Sequence, residues 1–445
     1  MKRMIAAILL IAVAAVGGFA QEKVTLTVMN YQQADQAGYP EDVKIWQDFQ
    51  AANPDITLNI EVLFNDPYHQ KLQAYAAAGT MPDVFYVWPG ARSAVIHEKK
   101  LAKDLNQLLG SAYLKDFSAS ATNPANQLGG YMAMLPQSFT YTSVMYVNTK
   151  LLADNGFKPP KTYADLKKMV PKLKAKGIAV AMLPNKDAWP MQSCLFSTVV
   201  GRMAGDEFLD AVLAGKAKFT DKPFVAALEV IQNLYKDGIL SREDVQIGYG
   251  EAAGMFASGK AAIYIDGDWR AGAYITDKAS GKALISPAAQ DKDFALMPFP
   301  SIPGEKNRGV VSAVAGTGWA VSASIPAGSA KEKAATRLIQ YLYSNDVQAI
   351  RFNTGAYVPT RKGVKADVEP LVAKVPVFYA KNPKTCYVID GVLDPAEARP
   401  PTQRAARPPR PPLLNASAAD ATPDPGAAVR AGPLPTGPPS AMHGK

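Results

Sequence analysis

Asp266-Gly267-Asp268-Trp269-Arg270 is the densest grouping of side chains able to do chemistry, and it closes an apolar run from Ala261 to Ile265. Positions two apart at a strand end share a face, and a glycosidase needs only a pair of carboxylates. The indole and guanidinium beside them suit a different task. A sugar ring has an apolar C–H face and a rim of hydroxyls. Flat aromatic rings cover that face, carboxylates accept from the rim, and arginine donates to it. Catalysis asks for more than this. The chain has no G-x-S-x-G elbow, no G-x-x-x-x-G-K-[ST] loop, and no H-E-x-x-H or Cys-x-x-Cys spacing. His69, His97 and His443 are its three histidines, too few for a His-rich metal site. Gly316-Thr317-Gly318 lacks the third glycine of a dinucleotide fingerprint. No metal or cofactor is expected. The grouping reads as a binding surface, with a secreted carbohydrate-active enzyme as the competing reading.

Strands and helices must deliver these residues. "EKVTLTVMNY" alternates so that Val24, Leu26 and Val28 share one face. "PEDVKIWQDFQAANPD" is a helix with Val43, Ile45, Trp46 and Phe49 inward, stopping before Asn53-Pro54, which makes Trp46 a core residue. "ITLNIEVLF" is a second strand, "DPYHQKLQAYAAAGTMPD" a helix closed by Gly79, and "VFYVW" a third strand ending at Pro89-Gly90. Asp83, at the Pro82 turn, reads as structural. The alternation restarts with "SVMYVNTKLLADNG" and with "KTYADLKKMVPKLKAKG", where Thr162 and Asp165 form a capping box and Pro171 is expected to kink or break the helix. Another helix ends at Gly238, strands follow at 261–265 and 294–297, and "AKEKAATRLIQYLYS" and "DVQAIRFN" are the last strong helices. Strands alternating with helices in two halves predict an α/β protein with mostly parallel sheets flanked by helices.

The ends differ from the body. Residues 1–20 have a positive start, an apolar stretch and small residues before Gln21, which is the form of a cleaved signal peptide. No cysteine follows to carry a lipid anchor. From about residue 396 to 445 Pro, Ala, Gly and Arg dominate and no aromatic occurs, so this tail is expected to be disordered; its composition reads as a frameshifted end. The formal net charge of +9 is scattered, and "KKMVPKLKAK" reads as a solvated helix face rather than a nucleic-acid site. An oxidising compartment permits a Cys194–Cys386 disulfide, but two cysteines make no scaffold.

"LQAYAAAGTMPDVFYVWPG", "VMYVNTKLLADNGFKPPKTYADL", "MFASGKAAIYIDGDWRAG" and "FNTGAYVPTRKGV" occur in the order found in the extracellular solute-binding proteins, family 1, of ABC importers, and the chain resembles that family from about 24 to 365. It departs in Tyr146-Val147-Asn148, where Tyr-Asn is usually adjacent, and in lacking the family's closing C-terminal helices. The resemblance implies a two-lobed periplasmic-binding-protein type II fold with a hinged cleft. The lobes would be 21–140 plus 311–362 and 141–310 plus 363–395. It implies a periplasmic monomer that binds a mono- or oligosaccharide and hands it to an inner-membrane ABC permease. A polyamine or phosphate ester stays open as the solute. Trp88 and Trp269, with Asp268 and Arg270, are the expected ligand contacts, and Gln137, near the first crossing, is a hinge or ligand residue. Trp319, Trp189, Tyr31 and Tyr357 are candidates for which core packing competes. Asn65 and Asp66 precede a helix, so capping competes with ligand binding there.

Overall fold

The computed structural model describes residues 23–34, 38–122 and 131–393. The expected signal peptide and Pro/Ala/Arg-rich tail lie outside the described residues. Among the described residues, twelve strands run in chain order through β1 (Val24–Tyr31), β2 (Ile56–Leu63), β3 (Val84–Val87), β4 (Leu135–Pro136), β5 (Phe139–Tyr141) and β6 (Val144–Asn148). The later ones are β7 (Ala179–Met182), β8 (Ala261–Asp266), β9 (Phe294–Met297), β10 (Val311–Ala315), β11 (Gly318–Val321) and β12 (Thr385–Cys386).

The first lobe is built on a sheet ordered β2-β1-β3-β11-β4. Alternation along its strands sends neighbouring residues into opposite layers. Leu26 and Val28 pack with Ile45, Trp46 and Phe49 of the helix Tyr39–Ala52 and with the helix Ala330–Leu342, while Met29, Phe85 and Val87 meet Tyr68, Leu72 and Ala76 of the helix Asp66–Ala78. Trp46 is therefore core, as its helical position predicts. Asp83 joins β1 to β3 by accepting from the Thr27 amide and hydroxyl at 2.8 and 2.9 Å.

The second lobe carries the sheet β7-β8-β6-β9. Its layers hold Ile263 and Ile265 against the helices Tyr163–Lys174 and Lys222–Lys236, and Tyr264 and Tyr146 against Phe256 and the helix Pro370–Lys381. The sheets are mostly parallel, each with one reversed strand: β1 is parallel to β2 and β3, and β7 to β8, while β11 and β6 run antiparallel to both of their neighbours. The chain enters β11 and β6 directly from crossings between sheets, which reverses their direction. The capping box of Thr162 and Asp165 is present, and Pro171 does not break its helix, which continues to Lys174. Pro171 falls in the last turn, so few hydrogen bonds depend on it, and Leu166, Met169 and Leu173 anchor the segment. The helix Pro370–Lys381 adds to the helices expected from the sequence.

Three passages join the lobes. β4, β5 and β6 step from the first sheet through a small sheet, β12-β10-β5, to the second; β10 and β11 step back; and the stretch after the helix Asn345–Asn353 leads to Pro370. Glycine permits the closest approaches here. A Cβ on Gly316 would stand 1.9 Å from Ser138 Oγ, and one on Gly318 2.1 Å from the Leu135 carbonyl oxygen. Cys194 and Cys386 are buried free thiols, so the permitted disulfide does not form.

Candidate ligand-binding site

Aromatic rings gather at the carboxyl ends of the first three strands. Tyr31 closes β1, Phe64 follows β2, and Trp88 follows β3. The Tyr31 ring lies 4.7 Å from Trp88, edge-on, 5.0 Å from Phe64, and 6.0 Å from Tyr86 with the planes nearly parallel. His69 sits 4.6 Å from Trp88 and 6.2 Å from Tyr31. Tyr86 and Trp88 reach the same face because they are two apart. Asn65, between Phe64 and the helix, adopts φ +55°, which is sparsely populated for a residue with a Cβ. Its side chain makes no capping hydrogen bond; its carbonyl accepts instead from Tyr68 N and His69 N at 3.0 and 3.2 Å. Asp66 is exposed.

The second lobe presents Trp269 and Trp189. Trp269 follows β8 and folds back on Gly267, where a Cβ would stand 2.3–2.4 Å from the six-membered ring of the indole. Its Nε1–H donates to the Tyr249 hydroxyl. Trp189 lies 4.7 Å from the Tyr249 ring and 6.1 Å from Trp269. The residue before it, Ala188, has φ +61°, and a turn of π-helix, Met191–Phe196, follows it. Local strain and π turns concentrate at functional sites. Of the non-glycine residues described with positive φ (Asn65, Lys100 and Ala188), two adjoin these aromatic groups.

The short segment Ile389–Val392 touches the neighbourhood of both groups. Asp390 accepts at 2.9 Å from the Oγ of Ser193, which lies in the π turn after Trp189. The Gly391 carbonyl sits where a Cβ on Gly90, just past Trp88, would stand 2.1 Å from it.

Several expected ligand groups are engaged inside the protein. Asp268 and Arg270 are each 5 % exposed. Asp268 accepts from the Tyr141 amide at 2.6 Å and from the Tyr379 hydroxyl at 2.5 Å, and burial pushes its carboxyl up to about 7 against the pull of those donors. Arg270 Nε donates to Asp266 at 2.6 Å, and its guanidinium lies 4.0 Å over the Tyr249 ring. The expectation that these two charges face a ligand is corrected: Tyr379, from a helix far along the chain, engages Asp268, and Asp266 with the Tyr249 ring engages Arg270. Trp319, 1 % exposed, is core, packed edge-on against Trp46 and Tyr86. Gln137 is a junction of the crossings. Its Nε2 donates to Tyr86 at 2.8 Å, and its Oε1 accepts from Arg351 at 3.1 Å and Tyr357 at 3.0 Å. Its backbone meets Thr317 and Thr360. Tyr357 thus uses its hydroxyl at the hinge, where it also accepts from Gln348.

The model of the bacterial extracellular solute-binding proteins matches residues 33–349. The chain belongs to this family. It is 23% identical over 351 residues to the "Multiple sugar-binding protein" of Streptococcus mutans, across 78% of this chain and 77% of that one. Among solved structures it is similar to a chitin oligosaccharide binding protein, with TM-score 0.73, 24% identity, and coverage of 84% and 90% of the two chains. It is also similar to the maltose/maltodextrin-binding domain of Bdellovibrio bacteriovorus bound to maltotriose, with TM-score 0.64, 20% identity, and coverage of 82% and 89%. The family member described here is a binding protein, not an enzyme. Among its described residues no helix is long and apolar enough to cross a membrane, and no cluster of His, Cys, Asp and Glu is arranged to hold a metal.

Sequence reasoning missed Phe64, His69, Tyr86 and Tyr249 in this solute-binding protein. Phe64 and Tyr86 carry a signal, since each is an aromatic at or just past a strand that ends beside Tyr31 or Trp88, while His69 lies in the first turn of the helix that follows β2. Tyr249 lies in a turn whose sequence, "IGYGEAAG", announces nothing.

Proposed function

We propose that this solute-binding protein captures an uncharged saccharide between its lobes, in the periplasm, and delivers it as a monomer to an inner-membrane ABC permease. The lobes are 21–140 plus 311–362 and 141–310 plus 363–395. The observation that carries this reading is the pairing of two aromatic groups, Tyr31, Phe64 and Trp88 in one lobe and Trp189 and Trp269 in the other. The segment Ile389–Val392 touches the surroundings of both. Indole and phenol faces give large apolar contact to a sugar's C–H face with few torsions to freeze. Asp266 and Arg270 neutralise each other, and Asp268 is held by Tyr141 and Tyr379. A polyamine or a phosphate ester would need a free opposite charge, and these groups offer none. The relative from Streptococcus mutans, named for sugar binding, and the chitin-oligosaccharide and maltotriose binders of the same fold support the same solute class.

A thermal-shift screen tests it. Neutral mono- and oligosaccharides are expected to raise the melting temperature, and a ligand at about 100 times its Kd adds roughly 2.7 kcal/mol. Shifts confined to polyamines or phosphate esters overturn the saccharide reading.

A further inference from the structure

We infer that Tyr249 is a positioning residue that locks Trp189 and Trp269 into one prearranged face, an inference that rests on the saccharide reading of those two indoles. Tyr249 lies in the turn between Arg242–Gln246 and the helix Ala252–Ala257, and is buried. Each of its parts has a separate partner. Its amide donates to Asp187 Oδ2 at 3.0 Å, which ties down the loop two residues before Trp189. Its ring stands 4.7 Å from Trp189 on one side and 4.0 Å from the Arg270 guanidinium on another. Its hydroxyl accepts from Trp269 Nε1–H and donates to Asp266 Oδ1 at 3.3 Å. Asp266 is itself fixed by Arg270 Nε at 2.6 Å and by the Gly267 amide at 2.7 Å.

The Asp266–Arg270 pair, of which Arg270 was expected to serve a ligand, thus forms the base on which one phenol holds both indoles. An indole whose N–H is bonded to a buried hydroxyl cannot turn without leaving that group unsatisfied. Trp269 therefore offers a saccharide its ring face and not its N–H. A face fixed before the ligand arrives adds no ordering cost on binding.

Tyr249→Phe keeps the ring against Trp189 and Arg270 and removes the hydroxyl. In a Trp88→Phe background, free of sugar, it is expected to red-shift tryptophan emission and raise acrylamide quenching, since Trp269 loses its anchor. Trp269→Phe removes the same hydrogen bond from the other side. With maltotriose or a chitin oligosaccharide as probe, whichever shifts the melting temperature, each single change is expected to weaken binding about 10-fold, and the pair no more than either alone. The loss from Trp88→Ala is expected to be the same in the wild-type chain and in the Tyr249→Phe variant. Multiplying losses for Tyr249→Phe and Trp269→Phe, or unchanged quenching, overturn the inference. If Tyr249→Phe does not fold, Tyr249→Met, which fills the space without a hydroxyl and adds no fluorophore, gives the same quenching readout. If no saccharide shifts any form of the protein, the saccharide reading fails, and the sugar-free quenching result alone decides whether Tyr249 holds the indoles.

Discussion

At the scale of single residues, the position of Trp269 is decided by what lies beneath it. Gly267 leaves room for the six-membered ring, and any side chain there would collide with it at 2.3–2.4 Å. Trp269→Ala is expected to weaken saccharide binding by about 1–3 kcal/mol with folding intact, as titration calorimetry would read it. Gly267→Ala leaves every aromatic atom in the protein but evicts the ring from its seat. It should therefore lower affinity in the same direction. Wild-type affinity in Gly267→Ala would mean that the seat does not matter. The sequence announces Trp269 and Trp88 by their places at strand ends, yet it gives Asp268 and Arg270 the wrong surroundings. Their chemistry suits a sugar's rim, but Tyr379, more than a hundred positions away, draws Asp268 inward, and Asp266 with the Tyr249 ring does the same for Arg270. Solvent exposure of a polar residue is a tertiary property, and no local pattern encodes it.

At the scale of elements, strands and helices are legible where periodicity is strong. The face shared by Leu26 and Val28, the inward stripe of Ile45, Trp46 and Phe49, and the Thr162–Asp165 box all appear as spacing predicts. The mostly parallel sheets follow from the strand–helix alternation, but the one reversed strand in each, β11 and β6, is not legible, because a short apolar run buried on both faces reads alike in either direction. The helix Pro370–Lys381 carries prolines at its first position and inside it, which mask its pattern. Gly316-Thr317-Gly318, empty as a nucleotide fingerprint, is the place where two crossings touch. Gly318→Ala would press a methyl into the Leu135 carbonyl, 2.1 Å away, and separate β11 from β4. It is expected to cost about 1–3 kcal/mol by overpacking. Gly254, inside the helix Ala252–Ala257, has nothing within 4 Å of its Cβ position and no positive φ. Gly254→Ala should then be neutral or stabilise by up to about 1 kcal/mol. Urea unfolding of the two variants separates them; equal midpoints would remove the close-contact account of the crossing.

At the scale of the whole molecule, three carboxyls of the second lobe, Asp244 and Asp268 buried and Asp206 partly so, set how stability depends on pH. Burial raises Asp206 to about 6, Asp244 to about 7 and Asp268 to about 7, all from 3.8. Between pH 4 and 7 the folded chain keeps protons there that the unfolded chain has released. Unfolding then releases protons, so stability falls as pH rises through this window and levels above it. Half-buried carboxylates held by ion pairs act in the opposite sense at lower pH. Arg337 holds Asp55 down, and Lys103 holds Glu332 down, so their contribution is present above the unfolded value and lost as pH falls below it. Both titrate below their ordinary values, so their contribution changes little across the window from pH 4.5 upward. The melting temperature is therefore expected to decline from pH 4.5 to 7.5. Asp244→Asn keeps an acceptor for the Ser241 amide, which now donates to Asp244 at 3.2 Å, and removes the titration. It should flatten that decline, and Asp268→Asn should do so independently, since no shared hydrogen bond links the two. If calorimetry resolves the lobes as separate transitions, the second lobe's should move with pH and the first lobe's should not. A decline of unchanged slope in both Asn variants would show that these carboxyls stay ionised in the folded protein, and that hydrogen bonds from Tyr379, Tyr141 and Ser241 outweigh burial.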